Sequence, residues 1–277
     1  PASGTLLVAW HGAEAGYGQV ASAPRAYRLL ASDDSTNGSD GTWRALAAET
    51  ANVLRSRVDT VSAPGARWLR LEVDATGGGQ PLALRELEVH RAAAPEQLDA
   101  WLILGDSITE QSFHPGKTNH FSPAIAQAVP GHSPLIVGGG TYGETAYYGA
   151  RRLTTALPLC PPGSFVGLAY GTNDAYWGVT PEDFKRRVQA MIDHIRASGR
   201  TPMLARPPYT PRFDVSAHAA VIDQLTAENG LTPGPDLYAW FLTHSEQLRS
   251  DGLHPTPTGE VSIQQLWAEA AAPAYAP

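Results

Sequence analysis

The stretch Trp101-Leu102-Ile103-Leu104-Gly105-Asp106-Ser107-Ile108-Thr109 decides how this chain is built. Four apolar residues in a row, with no polar alternation, describe a strand buried on both faces, and Gly105-Asp106-Ser107 leads it into a tight loop. Working outward toward the C-terminus, helix-like and strand-like segments alternate. Helices are expected at 122–129, 146–156, 181–198, 216–229 and from about 257 to 271, and strands at 135–137, 165–169 and 201–205. The 181–198 helix carries its own punctuation: Thr180 can cap it, Pro181 suits its first turn and Gly199 follows its end. Such alternation implies a mostly parallel sheet covered on both faces by helices, an α/β fold.

In open sheets of this kind, functional residues gather in loops at the carboxyl ends of the strands. Four such loops are rich in polar residues or glycine. Gly105-Asp106-Ser107 offers a serine, which needs a neighbouring base to act as a nucleophile. Gly138-Gly139-Gly140-Thr141-Tyr142-Gly143-Glu144-Thr145 could bring a backbone N–H close to a ligand, or simply turn the chain before a helix. Gly171-Thr172-Asn173-Asp174 holds an asparagine amide, suited to an oxyanion or to capping a turn. Asp251-Gly252-Leu253-His254-Pro255 spaces a carboxylate three residues before an imidazole, close enough to fix its tautomer. Each loop taken alone has an ordinary structural explanation.

In order and spacing, the four loops resemble the conserved blocks of the SGNH hydrolases, the GDSL-like lipases and esterases, over roughly residues 99–273. The resemblance implies a three-layer α/β/α (flavodoxin-like) domain and assigns roles. Ser107 is the nucleophile, His254 the general base and acid, and Asp251 the residue that orients it. The oxyanion hole comes from the backbone N–H groups of Ser107 and Gly143 and the side chain of Asn173. No metal or organic cofactor is implied. One departure is visible: Glu110-Gln111-Ser112-Phe113 follows where the family often has a glycine, a change expected to affect the pocket wall.

Residues 5–91 read differently. Short β-like runs at 5–10, 25–31, 68–73 and 82–89 are separated by clusters such as Ser32-Asp33-Asp34-Ser35-Thr36-Asn37-Gly38, the texture of a β-sandwich. The stretch 43–55 is helix-like but equally compatible with a strand and loop. Arg91-Ala92-Ala93-Ala94-Pro95-Glu96-Gln97 reads as a linker, so the expected division is 1–93 and 94–277. The runs Tyr27–Asp34, Ala66–Val73 and Leu84–Val89, with Trp43, resemble the later strands of discoidin-like jelly-roll modules, which often bind carbohydrates. The early strands of such a module are not recognisable. The resemblance makes Trp10, His11 and Tyr17 the candidates for any sugar contact.

Composition narrows the remaining choices. A net charge of −7, with no basic stripe, argues against nucleic acid. No apolar run reaches the roughly 18 to 20 residues of a membrane helix. The single cysteine, Cys160, rules out an internal disulfide framework and a cysteine zinc site. The chain opens on Pro1-Ala2-Ser3-Gly4, and a processed, secreted or periplasmic protein is the expectation. The oligomeric state stays open.

Asp106, Tyr142, Trp177 and Arg206 are expected to bind substrate, with Tyr147 and Tyr176 nearby; aromatics in such loops suit stacking on sugars and also suit plain packing. No long apolar insertion offers a groove for a long acyl chain. Short-chain carboxylic esters, acetyl esters of carbohydrates above all, are therefore the expected substrates, small molecules or glycans. The alternatives are a lipase, thioesterase or arylesterase of the same fold, and a carbohydrate-binding protein without catalysis.

Overall fold

Antiparallel pairing builds the first part of the chain. A computed structural model describes residues 4–13, 20–91, 98–114 and 116–275. It divides the chain into two units, Pro1–Ala92 with Leu159–Pro161, and Ala93–Pro158 with Pro162–Pro277. In the first unit, strands β1 (Thr5–Gly12), β4 (Ser56–Ser62) and β6 (Leu84–Arg91) form one three-stranded sheet in the order β4-β1-β6. Strands β2 (Pro24–Ser32), β3 (Arg44–Glu49) and β5 (Trp68–Thr76) form another in the order β3-β2-β5. Val8, Trp10, Tyr27, Leu29 and Val61, drawn from both sheets, share one buried cluster. Trp10 meets Tyr27 edge-on at 5.5 Å.

Within 43–55 the strand reading holds and the helical one fails. Residues 44–49 pair antiparallel with β2, Tyr27 opposite Glu49, and Leu46 and Ala47 pack on the core. Its alanines favour a helix, but propensity is only a weak prior and cross-strand packing overrides it. Strand β4 is hidden in the sequence because Arg57, Asp59 and Thr60 mask it; Val58 and Val61, its only large apolar residues, are both buried but face opposite sides. Trp10 and His11 are 0% and 2% exposed, so neither offers a face to a sugar. Trp10 faces the buried cluster, and His11, on the opposite face of β1, lies 3.2 Å from Glu88 of β6. Tyr17 and residues 92–97 of the expected linker lie outside the described residues.

In the second unit, β7 (Ala100–Gly105), β8 (Leu135–Gly140), β9 (Phe165–Ala169) and β10 (Thr201–Leu204) form a parallel sheet in the order β10-β9-β7-β8. Every residue of β7 is buried, as its unbroken apolar run demands. Trp101 stacks on Phe165 at 4.4 Å, and its indole N–H donates to the Tyr275 hydroxyl at 2.8 Å. Helices α1 (Ser107–Phe113), α2 (Phe121–Ala128) and α8 (Pro257–Ala271) pack together, as do α3 (Ala146–Ala156), α5 (Pro181–Ala197) and α6 (Ser216–Glu228). Short helices α4 (Thr172–Tyr176) and α7 (Leu237–Thr243) complete the set. The expected helices fall within a residue or so of their observed bounds. Among the described residues no helix is long and apolar enough to cross a membrane.

The chain leaves β7 for β8 and then crosses back past β7 to β9, so the connections reverse direction between β7 and β9. That reversal opens a crevice at the carboxyl ends of the two strands.

The glycine run 138–140 is strand, not ligand loop. A Cβ on Gly138 would lie 2.0 Å from the Phe113 carbonyl oxygen, and one on Gly140 would lie 2.2 Å from the Glu110 nitrogen. Helix α1 therefore rests directly on β8, with no side chain between the two backbones. For the same reason Glu110 and Phe113 belong to the helix buried on that strand and not to an open pocket wall. Gly138→Ala forces this contact apart. We expect it to cost about 3 kcal/mol or more, read as a lowered urea midpoint at unchanged m-value.

Candidate active site

Ser107 is the first residue of α1, held there because the residue before it caps the helix. The Asp106 carboxylate accepts the Ile108 N–H at 2.9 Å. The Ser107 hydroxyl therefore stands at the carboxyl edge of the central strand, and its own N–H is one of the helix-start donors without an intrahelical acceptor. Its oxygen lies 2.9 Å from His254 Nε2. On the far side of the ring, His254 Nδ1 lies 2.7 Å from Asp251 Oδ2. An ionised carboxylate can only accept, so Nδ1 carries the proton and Nε2 is left to accept the serine hydroxyl. This arrangement can draw a proton from the serine and return it to a leaving group.

The Asp251–His254 turn is built for that placement. Asp251 Oδ1 accepts the Leu253 and His254 N–H groups at 2.9 and 3.0 Å, while Gly252 takes φ +64°. Burial alone would raise the Asp251 carboxyl, but the hydrogen bonds from His254 and Leu253 outweigh it and hold it at about 2. Outside the turn, Thr210 Oγ1 donates to the Gly252 carbonyl at 2.7 Å and Arg212 to the Asp251 carbonyl at 3.0 Å. The Arg249 N–H donates to the His254 carbonyl at 2.8 Å, and the Arg249 guanidinium binds the Pro255 carbonyl at 2.8 Å. Nothing in the spacing of Thr210, Arg212 or Arg249 announces these contacts.

The other two loops meet the first. Asn173 Nδ2 donates to Asp106 Oδ2 at 3.3 Å and to the Glu144 carbonyl at 3.1 Å. The Ala146 N–H donates to the Asp174 carboxylate at 3.0 and 3.2 Å. Gly143 takes φ +70°, has nothing within 4 Å of a would-be Cβ, and its N–H has no hydrogen-bond acceptor among the described residues. Ser107, Gly143, Asn173, Asp251 and His254, drawn from four loops of one unit, are thus linked directly or through one intervening residue.

The expected substrate contacts divide. Tyr142 and Trp177 are 61% and 68% exposed, on the loops that carry Gly143 and Asn173. Tyr176 packs against Trp177 and Phe213, with ring centres 5.0 and 5.4 Å apart. Asp106, by contrast, is 2% exposed, because its carboxylate is needed beneath the serine as a helix cap. Arg206 lines a small cavity with Asp106 and Thr172, and its guanidinium lies 2.5 Å from Asp236 and 3.5 Å from Asp223, and over the Tyr238 ring.

Burial pushes the Asp106 carboxyl from 3.8 up to about 7; the Ile108 N–H opposes this, and Asp174 and Glu144 add to it. Between those two values the folded protein holds a proton that the unfolded chain has released, so this group lowers stability as pH rises across the window. Asp106→Asn keeps the capping oxygen and removes the titration. Urea unfolding followed from about pH 4 to about pH 7 is expected to lose that part of its slope in the variant.

Residues 103–260, more than half of the 277, match the model of the GDSL-like Lipase/Acylhydrolase family. No curated protein matches the sequence. Among solved structures, the lipase/acylhydrolase from Enterococcus faecalis is similar at 21% identity and a TM-score of 0.52, covering 63% of this chain and 96% of that one. An alpha/beta hydrolase enzyme from the metagenome of Lake Arreo, Spain, is similar at 18% identity and a TM-score of 0.52, covering 62% and 95%. A variant of an acetyl xylan esterase from Geobacillus stearothermophilus is similar at 17% identity and a TM-score of 0.52, covering 62% and 93%. At such identities the likeness is one of fold. Family match, parallel sheet and site geometry agree, and the chain belongs to the GDSL-like lipase/acylhydrolase family.

Proposed function

We propose that this protein is a serine ester hydrolase acting on short-chain carboxylic esters, acetyl esters of carbohydrates above all. The observation that carries the reading is the chain of two hydrogen bonds, 2.9 Å from Ser107 to His254 and 2.7 Å from His254 to Asp251. In the proposed reaction Ser107 Oγ attacks the ester carbonyl while His254 Nε2 takes its proton. Asp251 holds the ring in the required tautomer and stabilises the imidazolium. The tetrahedral oxyanion receives the N–H groups of Ser107 and Gly143, and Asn173 turns to it from its long contact with Asp106. Collapse expels the alcohol, which takes the proton from His254. Water, deprotonated by the same imidazole, then attacks the acyl-serine, and the acid leaves as Ser107 recovers its proton.

Preference for a sugar alcohol rests on Tyr142 and Trp177, exposed aromatic faces one and four residues from the proposed oxyanion donors. For residues 1–93 we propose a discoidin-like module with a structural role, since Trp10 and His11 are buried.

Ser107→Ala is expected to lower p-nitrophenyl acetate hydrolysis by about 10⁴-fold or more at unchanged melting temperature. Retained activity in that variant sinks the mechanism. Acetate release from acetylated sugars, set beside a p-nitrophenyl ester series of growing acyl length, tests the substrate. Faster turnover of the long acyl esters overturns the short-chain reading.

A further inference from the structure

Glu144 follows Gly143 in the chain and carries a carboxylate into the interior, where it is 5% exposed. Such a group persists only when it is paired and hydrogen-bonded. Its partners come from two places in the fold. Arg152, eight residues along in α3, reaches back in a fork, Nε to Oε1 and Nη2 to Oε2, both at 2.5 Å. The Tyr170 hydroxyl, just past β9, donates to Oε2 at 2.8 Å. Arg152 Nη2 also donates to the Gly139 carbonyl of β8. Gly149 makes room for the tyrosine, since a Cβ there would come within 2.5 Å of the phenol. The Glu144 backbone carbonyl meanwhile accepts from Asn173. One residue thus ties the loop after β8, the second turn of α3 and the end of β9 together.

Gly143 needs such an anchor. At φ +70°, with nothing within 4 Å of a would-be Cβ and no acceptor for its N–H among the described residues, it has no side chain and no N–H bond to fix its direction. We propose that Glu144, Arg152 and Tyr170 are positioning residues that set the separation of the Gly143 N–H and the Asn173 amide for the developing oxyanion. This rests on the roles proposed above for Ser107, Gly143 and Asn173. Arg152 serves in a second way. An uncompensated carboxylate at Glu144 would oppose negative charge on the substrate oxygen.

Three variants separate positioning from bulk stability. Glu144→Gln keeps the size and weakens the ionic fork, Arg152→Lys keeps the charge and loses the fork, and Tyr170→Phe deletes one oxygen. Each is assayed on p-nitrophenyl acetate well below its melting temperature, with phenylboronic acid as a reversible tetrahedral mimic and a fluorophosphonate to label Ser107. The expected result is a kcat lowered about tenfold or more with KM within about twofold, and boronate affinity reduced in proportion. Unchanged kcat and boronate affinity in folded Glu144→Gln and Tyr170→Phe, with only the melting temperature lowered, overturns the proposal. If Glu144→Gln does not fold, Tyr170→Phe decides alone. Full labelling of Ser107 in the parent protein shows that such a failure belongs to the positioning residues and not to the serine mechanism. Absence of label there sinks both.

Discussion

A carboxylate almost closed to water, Asp106, holds the first and third loops of the site together. One of its oxygens caps helix α1 and so sets where Ser107 begins; the other receives the Asn173 amide. Burying a carboxylate is costly unless donors surround it, and here the donors are groups the site needs in fixed places. Remove that group and the serine and the asparagine lose their common reference point. The glycines of β8 make the arrangement possible, because only bare backbone lets α1 approach closely enough for Asp106 to lie beneath both loops.

Asp251 uses the same chemistry to the opposite end. It too accepts backbone N–H groups from the residues that follow it, but it is far more open, and the bonds from His254 and Leu253 hold it ionised at about 2. Asp106, in the interior, is pushed up to about 7. Surroundings, not residue type, thus divide two aspartates between building a scaffold and facing an imidazole.

Much of this was legible in the sequence where a local rule operates. The cap Thr180, followed by proline, marked a helix start that its hydroxyl does cap. The unbroken run 101–104 foretold a strand buried on both sides, and the three-residue interval from Asp251 to His254 foretold a contact across one turn. Legibility ended where distant parts of the chain decide. Whether a glycine at 138 or 140 faces a ligand or a helix depends on where α1 lands, and Arg206 chose Asp236 and Asp223 for reasons no spacing encodes. The pairing of Glu144 with Arg152 was equally hidden, being a loop residue met by the second turn of the following helix. In the first unit, the strand at 44–49 was ambiguous because alanine is silent about its partner across the sheet.

The bond between Ser107 and His254 spans 147 residues of sequence. The serine hangs from the first strand of its unit and the histidine precedes its last helix, so nothing short of a fully assembled sheet brings them within reach. Contacts this remote form late, after local helices have come and gone many times. The Ser107–His254 contact is therefore a marker of completed folding: a refolding chain is expected to regain its helices before it regains this contact.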